Sequence, residues 1–138
     1  MAVKQISVFV ENTSGRLAEV TRVLAAAKVN LRAITIADTA DFGILRIIAD
    51  DCDRALAAFT KSGFTAKVTE VIGVEVPDKP GGLADVMEIF HREGVNIEYL
   101  YASLEHVKDK AVVIFKVEDV AHGLKICAQQ KLSLISQI

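Results

Sequence analysis

Two short segments of the chain carry residue types suited to holding a small zwitterion. One reads Glu11-Asn12-Thr13-Ser14-Gly15-Arg16-Leu17 and the other Pro77-Asp78-Lys79-Pro80-Gly81-Gly82-Leu83. Each is expected to end at a helix N-terminus, where up to four backbone N–H groups have no intrahelical partner. That end carries partial positive charge and suits an anion such as a carboxylate. Glycine there allows close backbone approach. The side-chain oxygen of Asn12 or Asp78, just ahead, can accept a hydrogen bond from an ammonium group. One such turn could grip both polar groups on the α-carbon of a free amino acid. A plainer reading makes Asn12 and Asp78 helix caps and Gly15 and Gly81 ordinary turn glycines. Asn30 and Asn96 bear on the choice. Each stands in an apolar strand start, Val29-Asn30-Leu31 or Val95-Asn96-Ile97, where Asn is a poor β-former. It could serve the strand turn structurally, but its repetition points to a shared task.

Residues for catalysis are scattered. The three histidines, His91, His106 and His122, have no metal-ligand spacing, and two are expected on helix surfaces and one in a turn. Asp50, Asp51 and Asp53 resemble a carboxylate cluster, but negative charge there also suits the start of a second helix. No nucleophile elbow, P-loop or dinucleotide fingerprint occurs; Gly81-Gly82 lacks the required Lys and spacing. The expectation is a non-enzyme with no cofactor and no metal. The two cysteines, Cys52 and Cys127, are too few for a disulfide scaffold and fall in expected helices as small hydrophobes. A place in the first turn of a helix would favour the Cys52 thiolate.

The elements that position the two turns come from an internal repeat. Under a shift of 66 residues, the spacing of Ile6 from Ile72, the first half lies over the second. Ile6, Val8 and Val10 meet Ile72, Val74 and Val76. Gly15, Leu17, Ala18 and Val20 meet Gly81, Leu83, Ala84 and Val86, and Val29-Asn30 meets Val95-Asn96. Further on a slightly larger shift aligns Asp51, Leu56 and Phe59 with Asp119, Leu124 and Cys127, which predicts a longer turn in the second copy.

Alternating Ile6, Val8 and Val10 predict a strand. Leu17, Val20 and Leu24 recur at helical spacing, as do Leu83, Val86 and Phe90. Strands are expected over 29–37 and 95–103, and again over 44–48 and 112–117. Turns are expected at Asp38-Thr39-Ala40-Asp41 and over 105–110. Second helices follow near 53–62 and 120–130, and last strands near 64–71 and 132–138. The order is β-α-β-β-α-β, an α+β fold of two ferredoxin-like repeats, each with an antiparallel sheet and both helices on one face. The repeats are expected over 1–70 and 71–138. Residues 66–76 show no clear loop, so the last strand of copy one is expected to run almost directly into copy two and hold both as one unit.

Composition narrows the function classes. The 138 residues are 51% hydrophobic and 25% charged, with a net charge of −2 and no Trp. Interspersed charge and few aromatics argue against a nucleic-acid or anionic-membrane footprint. No run approaches the roughly 20 apolar residues that span a bilayer, and the N-terminus lacks a signal-peptide pattern. A cytoplasmic protein is expected. Sheet edges or helical faces left open within each copy predict a homodimer.

Asn12 to Leu17 followed by Val29-Asn30-Leu31, and Asp78 to Leu83 followed by Val95-Asn96-Ile97, resemble ACT domains, twice over essentially the whole chain. The resemblance implies a regulatory module that binds an amino acid where two such domains meet, the first turn of one facing the second-strand Asn of the other. It groups Asp78, Lys79, Pro80, Gly81, Gly82 and Leu83 with Asn30 and Leu31. The mirror group is Asn12, Gly15 and Leu17 with Asn96. Copy two is nearer the usual Asp-x-Pro-Gly form; copy one has Asn12 and Ser14 in place of Asp and Pro. Copy one also resembles the regulatory subunit of acetohydroxyacid synthase, through Val10 to Gly15 and Ala37-Asp38-Thr39. That implies an alternative, a subunit that docks on and controls a separate metabolic enzyme.

Overall fold

Seven strands and four helices, counted over the residues 2–38 and 41–136 that the computed structural model describes, follow the repeat. They are β1 (Val3–Glu11), α1 (Arg16–Ala26), β2 (Leu31–Asp38), β3 (Phe42–Ala49), α2 (Cys52–Lys61), β4 (Ala66–Pro77), α3 (Gly82–Arg92), β5 (Ile97–Val107), β6 (Lys110–Val117), α4 (Val120–Gln129) and β7 (Leu134–Ile135). The chain divides into two compact units, Lys4–Thr69 and Met1–Val3 with Glu70–Ile138. The single twelve-residue strand β4 runs from one into the other without a loop.

In the first unit β3 pairs antiparallel with β1 on one side and β2 on the other, and β4 lies beside β1. The Phe9 N–H donates to Thr65 O at 3.0 Å at that seam. In the second unit β6 pairs antiparallel with β4 and β5, and β7 with β4. The Glu75 N–H donates to Ser133 O at 2.8 Å, the same bond one repeat later.

Burial explains why both helices of a unit share one sheet face. Alternation puts Ile6, Val8 and Val10 of β1 on the side of Leu45 and Ile47 of β3. Val20 and Leu24 of α1 and Ala55 and Phe59 of α2 close over them. The second core repeats this with Ile72, Val74, Val76, Val113, Phe115, Val86, Phe90, Ile126 and Cys127. An edge-to-face ring pair lies in each, Phe59–Phe64 at 6.0 Å and Phe90–Phe115 at 5.2 Å. Such pairs add to the burial term itself.

The second helix of each copy starts as its carboxylates imply. Asp51 Oδ1 accepts from the Arg54 N–H at 3.0 Å, and Asp119 Oδ1 from the His122 N–H at 3.1 Å. Each satisfies one orphan donor, a cap worth about 1 kcal/mol.

Several expected boundaries move. The second copy's two extra residues do not lengthen its turn: β5 extends to Val107, and only Lys108 and Asp109 separate it from β6. The surplus is taken up inside the hairpin, where the β5–β6 register shifts between Ala102 and His106. His106 therefore stands in a strand rather than a turn. Of the turn expected at 38–41, Thr39 and Ala40 lie outside the described residues. The last strand of copy two is only Leu134–Ile135, not 132–138, and residues 137 and 138 also lie outside the description. Asn30 and Asn96 precede their strands instead of standing in them. The reason is backbone pairing with the following strand's exit: Asp50 N–H donates to Asn30 O at 3.0 Å, and Glu118 N–H to Asn96 O at 2.9 Å.

Candidate functional site

The two turns are built alike, bond for bond. In the first, the Asn12 N–H donates to Asp41 O at 3.0 Å and the Thr13 N–H to Glu11 O at 2.8 Å. The Arg16 N–H donates to Thr13 O at 3.3 Å, and the Glu19 N–H to Gly15 O at 3.0 Å. In the second, Asp78 donates to Asp109 O, Lys79 to Pro77 O, Gly82 to Lys79 O and Asp85 to Gly81 O, each at 3.0 Å. The residue at the helix N-cap is Gly15 or Gly81, with φ of 89° and 88°, and neither helix has a side-chain cap. This corrects the capping reading of Asn12 and Asp78: both stand three residues before the N-cap, so their side chains are not spent on that task.

Left-handed backbone explains the glycines. At φ near +90° an L side chain is strained whatever the space around it, and nothing lies within 4 Å of a Cβ built on Gly15 or Gly81. Gly15→Ala and Gly81→Ala should each lower stability by about 1–2 kcal/mol through backbone strain alone. Chemical denaturation checks this; a neutral result would mean that the turn accepts another conformation. Gly82 is needed for a different reason. Its Cβ would collide with the Pro77 carbonyl, a backbone atom, which brings the end of β4 tight against the start of α3. Copy one has Arg16 at that place. Its guanidinium bonds Glu19 Oε2 at 2.8 Å and lies over the Phe64 ring at 4.5 Å.

In both turns a glycine cap and a first amide tied to the turn leave the next donors, Leu17 and Ala18 or Leu83 and Ala84, without intrahelical acceptors. Leu17 and Leu83 are exposed, as are Asn12, Asp78, Lys79 and Pro80. A cleft of about 70 Å³ opens at the first turn, lined by Asn12, Thr13 and Leu17 with Val10, Glu11, Ile36 and Gly43. Sequence reasoning missed Ile36 and Gly43, which reach the turn only through the β1–β3–β2 pairing. It also missed Asp41 and Asp109, whose carbonyls fix Asn12 and Asp78.

Asn30 and Leu31 do not join the turn of their own unit. β1 ends opposite Phe42, whereas Leu31 pairs with Ala49 at the other end of β3. Asn30 is held there, its N–H donating to Asp50 Oδ1 at 3.0 Å. Asn96 occupies the matching place, its Nδ2 donating to Glu118 Oε2 at 3.2 Å. A second cleft, of about 130 Å³, is lined by Asn96, Glu118, Asp119 and His122. The bulge just beyond each Asn, at Arg32 and Glu98, is a further duplicated feature that no sequence signal announced.

The remaining candidates of sequence chemistry separate. The described residues contain no group of three or more His, Cys, Asp or Glu able to hold a metal. A ring nitrogen of His122 lies 3.1 Å from Glu93 O, and His91 is exposed on α3. Cys52 does stand at the start of α2, but burial raises its thiol pKa and outweighs the attraction of nearby Lys4. Its place in the first turn therefore does not favour the thiolate, and Cys52 keeps the small-hydrophobe role read from the sequence. Burial pushes Cys127 up to about 11.

The family profile described as an ACT domain pair matches residues 1–138. The chain belongs to the ACT domain pair family. ACT domains are regulatory modules. A Bacteroides thetaiotaomicron protein of known crystal structure is 41% identical, with a TM-score of 0.92 over 98% of this chain and 92% of that one. The ligand-free regulatory subunit of aspartate kinase from Thermus thermophilus shares the fold at 18% identity and a TM-score of 0.63, over 91% of this chain and 90% of that one. E. coli aspartokinase III in complex with lysine and aspartate shares it at 15% identity and a TM-score of 0.53, over 94% of this chain and 31% of that one. No curated protein matches this ACT domain pair. No helix among its described residues is long and apolar enough to cross a membrane.

Proposed function

We propose that this ACT domain pair is a non-catalytic regulatory protein that binds a free amino acid at its glycine-capped turns. The observation that carries the reading is the duplicated helix start. Backbone donors are presented without a side-chain cap, and an exposed Asp78 or Asn12 stands three residues ahead. Donors of that kind suit a carboxylate, and the side-chain oxygen suits an ammonium. In this reading Asp78, Lys79, Pro80, Gly81, Gly82 and Leu83 form one half-site, and Asn30 and Leu31 complete it. Asn12, Gly15 and Leu17 form the other, completed by Asn96; those pairings rest on the family resemblance. The E. coli aspartokinase described above was crystallised with two amino acids, which agrees with this ligand class.

A melting screen of the purified protein against the twenty amino acids tests the proposal. A ligand at 100 times its dissociation constant adds about 2.7 kcal/mol to the unfolding free energy. A flat screen would sink the reading. A second reading, a subunit that controls a separate cytoplasmic enzyme, is favoured by the likeness to an aspartate kinase regulatory subunit along 90% of that subunit. It predicts no shift until the partner enzyme is supplied.

A further inference from the structure

The outer faces of the helices differ in charge between the two copies, with one sign reversal, Arg22 against Glu88, and one charge lost, Lys61 against Gln129. In the first unit a groove of about 440 Å³ runs between α1 and α2, lined by Val23, Ala26, Ala27 and Ala58 and bordered by Glu19, Arg22 and Lys61. Glu19 is committed to Arg16 at 2.8 Å. Arg22 and Lys61 are exposed and take part in no ion pair among the described residues. The groove therefore presents two uncommitted positive charges around a floor of small side chains.

The repeat shift carries this face onto α3 and α4. Arg22 becomes Glu88, Glu19 becomes Asp85, and Lys61 becomes the neutral Gln129. Asp85 and Glu88 are exposed and have no cationic partner among the described residues, whereas the nearby Arg92 lies 3.8 Å from Glu93. Ala58 becomes Ile126 and Val23 becomes Ile89, so larger side chains stand where the first unit is hollow. The first face is thus concave with two free positive charges, and its counterpart presents Asp85 and Glu88 on α3, with Arg92 further along that helix and Lys125 exposed on α4.

We propose that the α1–α2 groove is an interface for a second copy of this chain, and that it receives the α3 face of that copy. Arg22 and Lys61 of one chain then face Asp85 and Glu88 of the other. Alanines on the groove floor let a helix approach closely, and the apolar floor supplies area that rim charges alone would not. The charges choose the pairing. Groove against groove brings Arg22 and Lys61 together, and α3 against α3 brings Asp85 and Glu88 together, so like faces repel and unlike faces attract.

Charge-swap sedimentation tests this. The wild-type chain should be a dimer at tens of micromolar and dissociate as salt rises. The double variant Arg22→Glu/Lys61→Glu should weaken dimerisation at least tenfold, as should Asp85→Lys/Glu88→Lys. Circular dichroism melts matching wild type establish that both remain folded. An equimolar mixture of the two variants should then recover heterodimers within about threefold of wild-type affinity, because the reversed groove meets the reversed helix. A monomeric wild type overturns the proposal. So does a dimer indifferent to either reversal, which would use another surface. Failure of the folded variants to recover on mixing overturns the pairing of groove with α3.

Discussion

Replacing Phe59 by alanine should lower the free energy of unfolding by about 3–5 kcal/mol, and replacing Phe90 should do the same in the other unit. Both rings are fully buried. Phe59 sits on α2 against the edge of Phe64, and Phe90 on α3 against the edge of Phe115. Truncation removes the transfer energy of the ring, leaves a cavity that the sheet cannot collapse to fill, and forfeits the aromatic pair. Losses of that size are a large share of the stability of a small unit. Urea unfolding monitored by circular dichroism gives the value directly. A loss below about 1 kcal/mol at either position would mean that the ring is not packed in the core described.

Asp78→Ala should weaken amino-acid binding roughly ten- to more than a hundredfold, the equivalent of one charge-assisted hydrogen bond of about 1.5–3 kcal/mol. The geometry sharpens this expectation. The N-cap of α3 is Gly81, and that helix has no side-chain cap. Loss of the Asp78 carboxylate therefore leaves unliganded melting where it was and reduces only the ligand-induced rise. Asp119→Ala is the contrasting variant, because Asp119 does cap α4. It should lower melting with and without ligand by equal amounts. Titration calorimetry on wild type and Asp78→Ala decides the matter, and equal affinities would remove Asp78 from the site.

The sequence made the architecture legible because its strongest signals were periodic and occurred twice. Alternation in Ile6-x-Val8-x-Val10 and helical spacing in Leu17, Val20 and Leu24 each had a counterpart 66 residues on. What escaped notice was set by pairing between strands. The bulges at Arg32 and Glu98 and the extension of β5 follow from register. So does the approach of Ile36 and Gly43 to the first turn. The two candidate turns were legible at the level of their segments. The cap was not: Asp and Asn are strong N-cap residues, so composition favoured Asp78 and Asn12 for a task that the left-handed glycines perform. Cys52 shows the same limit. Its place at a helix start was visible in the sequence, but the burial that raises its pKa was not.

The glycine-capped helix starts also bear on how such a protein changes over generations. The donors at Leu17, Ala18, Leu83 and Ala84 are peptide groups, and every residue except proline supplies one. Mutation can therefore alter the side chains around the first-turn cleft, Ile36 and Leu17 among them, without removing these backbone donors. If the turns hold an amino acid as proposed, selectivity for the variable part of that ligand is free to drift while the hold on its constant part persists. Under the proposed function, lineages sharing this scaffold could exchange one effector for another by single substitutions without losing the carboxylate anchor.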